Sequence, residues 1–277
     1  MKLHWVALAA FLFFLPLSSA QLTIRAVKPE IVTERIQGYR GNDSKREETL
    51  KGFFEAAGCK GEQFSEQPVK GLKQANLICV LPGDTDSVIL IGAHFDHVDA
   101  GDGVVDNWSG ASLLPSLFEA QNIGHRRHTI MFVAFAGEER GLVGSRFYVK
   151  NLPQEHIKKI RAMVCIDTLG LGPARVWVSR SDKELVGAFA VMANAMKIPT
   201  SRVDVDGVGY SDEESFIPKK IPVIVIHSIT QGTLRILHTR DDNYRALKFD
   251  DYYASYRLLS AYLTFLDQNL DQNAKTP

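Results

Sequence analysis

The sequence predicts an α/β fold, a three-layer α/β/α sandwich around a mixed, mostly parallel sheet. Three observations carry this. Short apolar runs bounded by turn residues recur along the chain, as strands buried on both faces do. Between them lie segments whose apolar residues repeat at helical spacing. The two kinds alternate, and alternation is what parallel strands joined by helical crossovers produce.

The first twenty residues differ from the rest. Lys2 precedes an apolar run from Trp5 to Leu17, and Leu17-Ser18-Ser19-Ala20 places small residues where a signal peptidase reads. The run is short for a bilayer span, so residues 1–20 read as a secretory leader cleaved after Ala20, rather than as an anchor or a buried helix. Gln21 then becomes the first residue, and residues 21–277 form a single domain. The expected location is secreted or periplasmic, with no membrane span after cleavage.

Asp43 or Ser44 can cap a helix from Ser44 to Ala57, where Leu50, Phe53, Phe54 and Ala57 share a face and Gly58 stops the run. A strand-like stretch through Phe64 and a turn near Gly71 follow. The runs Asn76 to Leu81 and Ser87 to Ala93, split by Pro82-Gly83, read as strands, and the first hairpin supplies an antiparallel edge. Trp108 to Asn122 reads as a helix containing Pro115, Thr129 to Ala136 as a strand, and Gly141 to Lys150 as a helix. Arg161 to Asp167 and Arg175 to Ser179 read as strands, Lys183 to Met196 as a helix, Ile221 to His227 as a strand, and Asp250 to Gln268 as a closing helix.

The 277 residues are 45% hydrophobic and 23% charged, and Lys+Arg and Asp+Glu both number 32. This balance gives no footprint for nucleic acid or an anionic membrane, and the expected state is a monomer. Three cysteines cannot all pair within one chain. Cys165 lies in an apolar run and reads as core, which leaves Cys59 and Cys79 as a candidate bridge or as two free thiols.

In sheets of this kind ligands gather at the carboxyl ends of the strands. There the sequence places His94-Phe95-Asp96, Gly137-Glu138-Glu139 and Asp167. A glycine-rich loop delivers Asp106-Asn107, and a loop after the last strand delivers His238. Each alone has a plain structural reading: a hydrogen-bonded histidine, a solvated glutamate pair, a helix cap. Together they place imidazoles and carboxylates, the donor chemistry of zinc, on five segments that the fold brings to one edge.

Gly92-Ala93-His94-Phe95-Asp96, Asp106-Asn107-Trp108-Ser109-Gly110, Gly137-Glu138-Glu139 with Gly144-Ser145, Asp167 and His238-Thr239 resemble the motifs of the co-catalytic zinc aminopeptidases. Glutamate carboxypeptidases and glutaminyl cyclases are relatives of that family. The resemblance covers roughly Arg40 to the last helix. It implies a zinc-dependent exopeptidase acting on peptides with a free amino terminus, with two Zn2+ per chain. Asp106 would bridge the ions, His94 and Asp167 would complete one site, and Glu139 and His238 the other. Glu138 would be the general base, and Asp96 would accept the remaining ring N–H of His94. The resemblance also implies a cis bond between Asp106 and Asn107.

This assignment suits amide hydrolysis. Zinc lowers the pKa of bound water to about 7, and two ions roughly 3.5–4 Å apart can share one hydroxide. A bridging carboxylate sets that spacing, and a glutamate beside it can move the proton from the water to the leaving nitrogen. Tyr210-Ser211-Asp212-Glu213-Glu214-Ser215-Phe216 occupies the family's substrate-loop position. Tyr210, Asp212 and Glu213 are therefore substrate-binding candidates, Tyr210 for steadying an oxyanion. Glu213 stands where relatives often carry histidine; it either favours a cationic group or faces solvent, and solvent is the expected environment. His97, Asp99, Asp102, His125, His128 and His156 read as bystanders, with His125 to His128 as an exposed connection, and His227 as a core strand end.

Two other functions stay open on the sequence. A glutaminyl-peptide cyclotransferase uses the same scaffold, and the run His238 to Asn243 resembles that group; the secreted animal cyclases use one zinc. A metal-free binding module is the other, against which stand the intact ligands and Glu138.

Overall fold

The computed structural model describes residues 24–207 and 209–271, so the leader reading and its cleavage after Ala20 lie outside the described residues. Among the described residues eight strands form one sheet: β1 (Phe64–Pro68), β2 (Ala75–Leu81), β3 (Val88–His94), β4 (Thr129–Phe135), β5 (Ile160–Ile166), β6 (Arg175–Val176), β7 (Ser201–Arg202) and β8 (Val223–His227). Their order is β1-β2-β4-β3-β5-β8-β6-β7. The central β4, β3, β5 and β8 run parallel, whereas the β1–β2 hairpin joins one side antiparallel and β6 pairs antiparallel with β8 on the other.

Alternate residues of each central strand feed two separate cores. Ile89, Ile91, Phe132, Val164, Ile166 and Ile224 face one, and Leu90, Val133, Phe135, Met163, Val225 and Tyr148 belong to the other. The first core is closed by α1 (Pro29–Gln37), α2 (Asp43–Ala56), α3 (Ser109–Ala111), α4 (Leu113–Gln121), α7 (Lys183–Met196) and α8 (Phe249–Asn269). The second is covered by α5 (Val143–Asn151), α6 (Gln154–Ile157) and Phe216. Burial on both faces explains the uninterrupted apolar runs of the strands, and each fully buried Leu, Ile or Phe contributes about 1.5–3 kcal/mol. The result is the three-layer sandwich the sequence predicts.

Three local expectations change. The helix expected from Trp108 to Asn122 comes as two pieces, α3 and α4, parted at Ser112, with Pro115 in the tolerant first turn of α4. The strand expected from Arg175 to Ser179 stops at Val176, because Asp204 Oδ1 accepts from Ser179 N at 2.9 Å and turns the chain away from the ladder. Helix α1 escapes the periodicity reading, although Pro29 at its first turn and buried Val32 and Ile36 four apart mark it.

Cys59 and Cys79 form a disulfide, and Cys165 is a buried free thiol. Helix α8 clasps the first described residues: Val27 N donates to Tyr256 Oη at 2.8 Å, Tyr253 Oη donates to Val27 O at 3.0 Å, and Ser260 Oγ donates to Arg25 O at 2.6 Å. Among the described residues no helix is long and apolar enough to cross a membrane.

Candidate metal centre

The carboxyl ends of β3, β4 and β5 lie side by side, with His94 in register with Phe135 and Gly92 with Cys165. They deliver His94, Glu138 with Glu139, and Asp167 to one edge. The loop before α3 brings Asp106 to the same edge. Asn107 stitches that loop to the end of β5: its Nδ2 donates to Ile166 O at 2.8 Å, and its Oδ1 accepts from Thr168 N at 3.2 Å and Gly110 N at 2.9 Å. Gly110 is required for this approach, because a Cβ there would lie 2.5 Å from Asn107 Oδ1. The Asp106–Asn107 peptide bond is cis.

Asp106 faces a histidine on each side. Its Oδ1 lies 3.4 Å from His94 Nε2, and its Oδ2 lies 3.2 Å from His238 Nε2. Asp167 Oδ1 stands 3.6 Å from His94 Nε2, and Glu139 Oε2 stands 3.1 Å from His238 Nε2. Two donor groups result, His94 with Asp106 and Asp167, and Asp106 with Glu139 and His238, each with its donor atoms within 4.8 Å of one another. Glu138 belongs to neither; its Oε2 lies 3.9 Å from His94 Nε2. His238 has φ of 57°, a left-handed conformation that non-glycine residues rarely adopt and that collects at functional sites.

The donor set fits zinc. His94 is fully buried, yet among the described residues neither ring nitrogen has a hydrogen-bond partner, and Glu139 Oε1 is orphaned too. Buried polar atoms are normally satisfied, and a borderline-soft cation taking nitrogen and carboxylate oxygen would satisfy these.

The electrostatics agree. Burial alone would disfavour the imidazolium of His94, but the carboxylates of Glu138, Asp106, Asp167 and Asp96 outweigh it and raise its pKa well above the ordinary value. Burial also opposes ionisation of Asp106, yet His238 and His94 hold its acid below the usual carboxylate range. Glu138 is pushed up to about 10, first by burial and then by Asp212, Asp167 and Asp106, with His94 opposing. Hydrogen bonding to Asp106 and Glu139 raises His238 to about 10. On protein atoms alone the cluster holds surplus negative charge, which a divalent cation would neutralise.

Asp96 sits beside His94, but its Oδ1 is 3.7 Å from Nδ1, beyond direct hydrogen-bonding range. Instead it accepts from two backbone amides, Glu138 N at 3.0 Å and Glu139 N at 3.1 Å.

A cavity of about 390 Å³ opens on the cluster. Asp106, Glu138, Glu139, Asp167 and His238 line it together with Leu142, Trp177, Val205, Ile229, Leu234, Leu237 and Tyr210. Of the three substrate-loop candidates, Tyr210 alone reaches this wall. It is 62% exposed, and the Arg180 guanidinium stacks between it and Trp177, at 4.7 Å and 5.2 Å.

Asp212 and Glu213 are completely buried and do not line the cavity. The solvent-facing expectation for Glu213 is thus overturned. Its side chain lies under the loop, with Oε1 3.5 Å from Arg180 and burial pushing its acid up to about 7. Asp212 is likewise pushed up to about 7, chiefly by burial. His128 is also buried rather than exposed: its backbone N donates to Asp267 Oδ1 at 2.7 Å.

Two polar residues at the site escape the sequence reading. Asp242 accepts from Val105 N and Asp106 N, and Arg46 reaches the carbonyls of the loops carrying Asp96 and Asp106. Asp242 lies inside the His238 to Asn243 run, and Arg46 is a charge on the buried side of α2. Those were the signals available.

Fold and donor set define the class, an α/β/α sandwich with two candidate metal-binding groups at one edge of its sheet. The chain belongs to peptidase family M28, whose profile matches residues 76–263. It is similar to leupeptin-inactivating enzyme 1 of Streptomyces exfoliatus, 32% identical over 180 residues, which are 63% of this chain and 40% of that protein. It is also similar to leucine aminopeptidase 2 of Trichophyton rubrum, 36% identical over 88 residues, 32% of this chain and 18% of that one. The matched part thus spans less than half the length of these curated relatives.

Among solved structures, the LapA aminopeptidase of Legionella pneumophila shares the fold, with a TM-score of 0.75 at 23% identity, covering 87% of this chain and 71% of that one. An Acidobacteriales bacterium glutaminyl cyclase shares it equally, with a TM-score of 0.75 at 18% identity, covering 91% and 98%.

Proposed function

We propose that this protein is an exported aminopeptidase that binds two zinc ions and releases an apolar residue from the amino end of peptides. The observation that carries the reading is Asp106, whose two oxygens address His94 and His238 from opposite sides, as a bridging carboxylate must. His94 and Asp167 would hold one ion, Glu139 and His238 the other. When bound, the ions supply Lewis acidity and make a water molecule acidic near neutral pH.

The chain's own groups do the rest. Glu138 borders the cavity and belongs to neither donor group, so it is free to take the proton of the attacking water and pass it to the leaving nitrogen. Its neighbour Glu139 lies 3.1 Å from His238, which supports a ligand role for Glu139 beside a base role for Glu138. The acidic cluster suits a protonated α-amine, and Leu142, Trp177, Val205, Ile229, Leu234 and Leu237 offer an apolar wall for the first side chain. Tyr210, on the same wall, would steady the oxyanion. Export rests on the leader-like residues 1–20.

A second reading is favoured by one observation: the cyclase fold is covered almost throughout, at 98% of that chain. One experiment separates the two. The purified protein is analysed for zinc and assayed both for release of leucine from a leucyl anilide and for pyroglutamate formation from a glutaminyl peptide. Two zincs with leucine release support the aminopeptidase. One zinc with pyroglutamate formation replaces it with the cyclotransferase, and no zinc with neither activity leaves a binding module.

A further inference from the structure

Arg46 is a fully buried arginine on α2 whose hydrogen bonds, among the described residues, all go to carbonyl oxygens. Nε donates to Tyr39 O at 3.1 Å, Nη1 to Phe95 O at 3.1 Å, and Nη2 to Gly103 O at 3.2 Å and to Asp102 O. The guanidinium lies over Trp108, 5.4 Å from the ring centroid. Phe95 joins His94 to Asp96, and Asp102 and Gly103 lead into Asp106. One rigid fork therefore ties the His94 strand end to the loop of the shared carboxylate.

Asp242 grips the other side of that loop. It is 2% exposed, accepts from Val105 N at 2.8 Å through Oδ1 and from Asp106 N at 3.1 Å through Oδ2, and its own carbonyl accepts from Asp102 N at 2.8 Å. Asp242 stands four residues after His238, and Asp242 N donates to Thr239 O at 3.0 Å. The two loops touch backbone to backbone: a Cβ at Gly101 would lie 2.2 Å from Thr239 O.

We infer that Arg46 and Asp242 are positioning residues that clamp the Asp106 loop from both sides and thereby set the separation of the two donor groups. Arg46 fixes the loop to the half containing His94, and Asp242 fixes it to the half containing His238. Among the described residues the side-chain hydrogen bonds of both go to backbone groups, so they position the loop through its backbone. Loosening either side lets one half drift from the carboxylate both halves share. Zinc affinity then falls at both sites together, not at one. This rests on the two-zinc reading above.

Zinc titration of the chelator-stripped full chain by calorimetry tests the clamp, using wild type, Arg46→Lys, Asp242→Asn and Tyr262→Phe. Tyr262 donates to Leu185 O at 3.0 Å where α8 meets α7, so its variant reports a general loss of stability. Arg46→Gln, which keeps one amide donor, replaces Arg46→Lys should that variant fail to fold by circular dichroism. Wild type is expected to take up two ions. Arg46→Lys and Asp242→Asn should weaken both ions by about 10–100-fold, the usual range for outer hydrogen bonds at a metal site. Tyr262→Phe should lower Tm while keeping both affinities within about two-fold, as distant sites do. Clamp variants that titrate like wild type, or a Tyr262→Phe that loses affinity as they do, overturn the clamp alone. A wild type that binds fewer than two ions overturns the two-zinc reading and the clamp with it.

Discussion

Asp96 and Glu138 are joined by a 3.0 Å hydrogen bond from the backbone N–H of Glu138 to Asp96 Oδ1, while Oδ2 of the same carboxylate holds the N–H of Glu139 at 3.1 Å. One side chain thus orients two adjacent glutamates, the proposed base and a proposed ligand. In Asp96→Asn, one of the two amides faces an NH2 group and loses its acceptor. Zinc affinity measured by chelator competition is expected to fall about 10–100-fold. Wild-type affinity in that variant would show that the glutamate pair holds its geometry unaided.

Glu138→Gln keeps the shape of the site and removes the proposed base. Zinc content by elemental analysis should match wild type, and leucyl-anilide hydrolysis should fall about 10²–10⁴-fold, the usual contribution of general base catalysis. Activity near wild type would assign the base elsewhere.

His227 makes stability depend on pH. Its Nε2–H donates to Val203 O at 2.9 Å and its Nδ1 accepts from Ile229 N at 3.1 Å, so the neutral ring is the one that fits. Burial lowers its pKa to about 4, so between there and its ordinary value near 6.5 the unfolded chain binds the extra proton. The stabilisation is present above pH 6.5 and is lost as pH falls toward 4. Urea unfolding should show about 2 kcal/mol of this loss between pH 7 and pH 5. His227→Gln should flatten that slope; an unchanged slope would trace the dependence to other groups.

Glu213, being buried away from the cavity wall, should not choose the substrate. The ratio of kcat/KM for leucyl and arginyl anilides is expected to be the same in wild type and Glu213→Gln. A ratio that moves toward leucine in the variant would mean that the carboxylate's charge reaches the cavity.

The sandwich was legible because strands buried on both faces leave unbroken apolar runs such as Val88 to Ala93, and because α7 begins with a capping aspartate and keeps helical spacing throughout. His94, Asp106, Glu138, Glu139, Asp167 and His238 were legible as strand-end and loop residues with ligand chemistry, and the structure brings them together. Glu213 was misread because a charge in a polar run normally faces water; the fold instead buries it, with Arg180 alongside. Arg46 and Asp242 were hidden for a related reason. They act on backbone groups, and backbone groups leave no mark in a sequence.

The clasp of Tyr253 and Tyr256 on Val27 has a consequence for the order of events during synthesis. A ribosome delivers Val27 near the beginning and α8 more than two hundred residues later, the separation of Val27 and Tyr256 being 229. The bonds of Val27 to Tyr253 and Tyr256 therefore form only once α8 has emerged, long after Val27 itself.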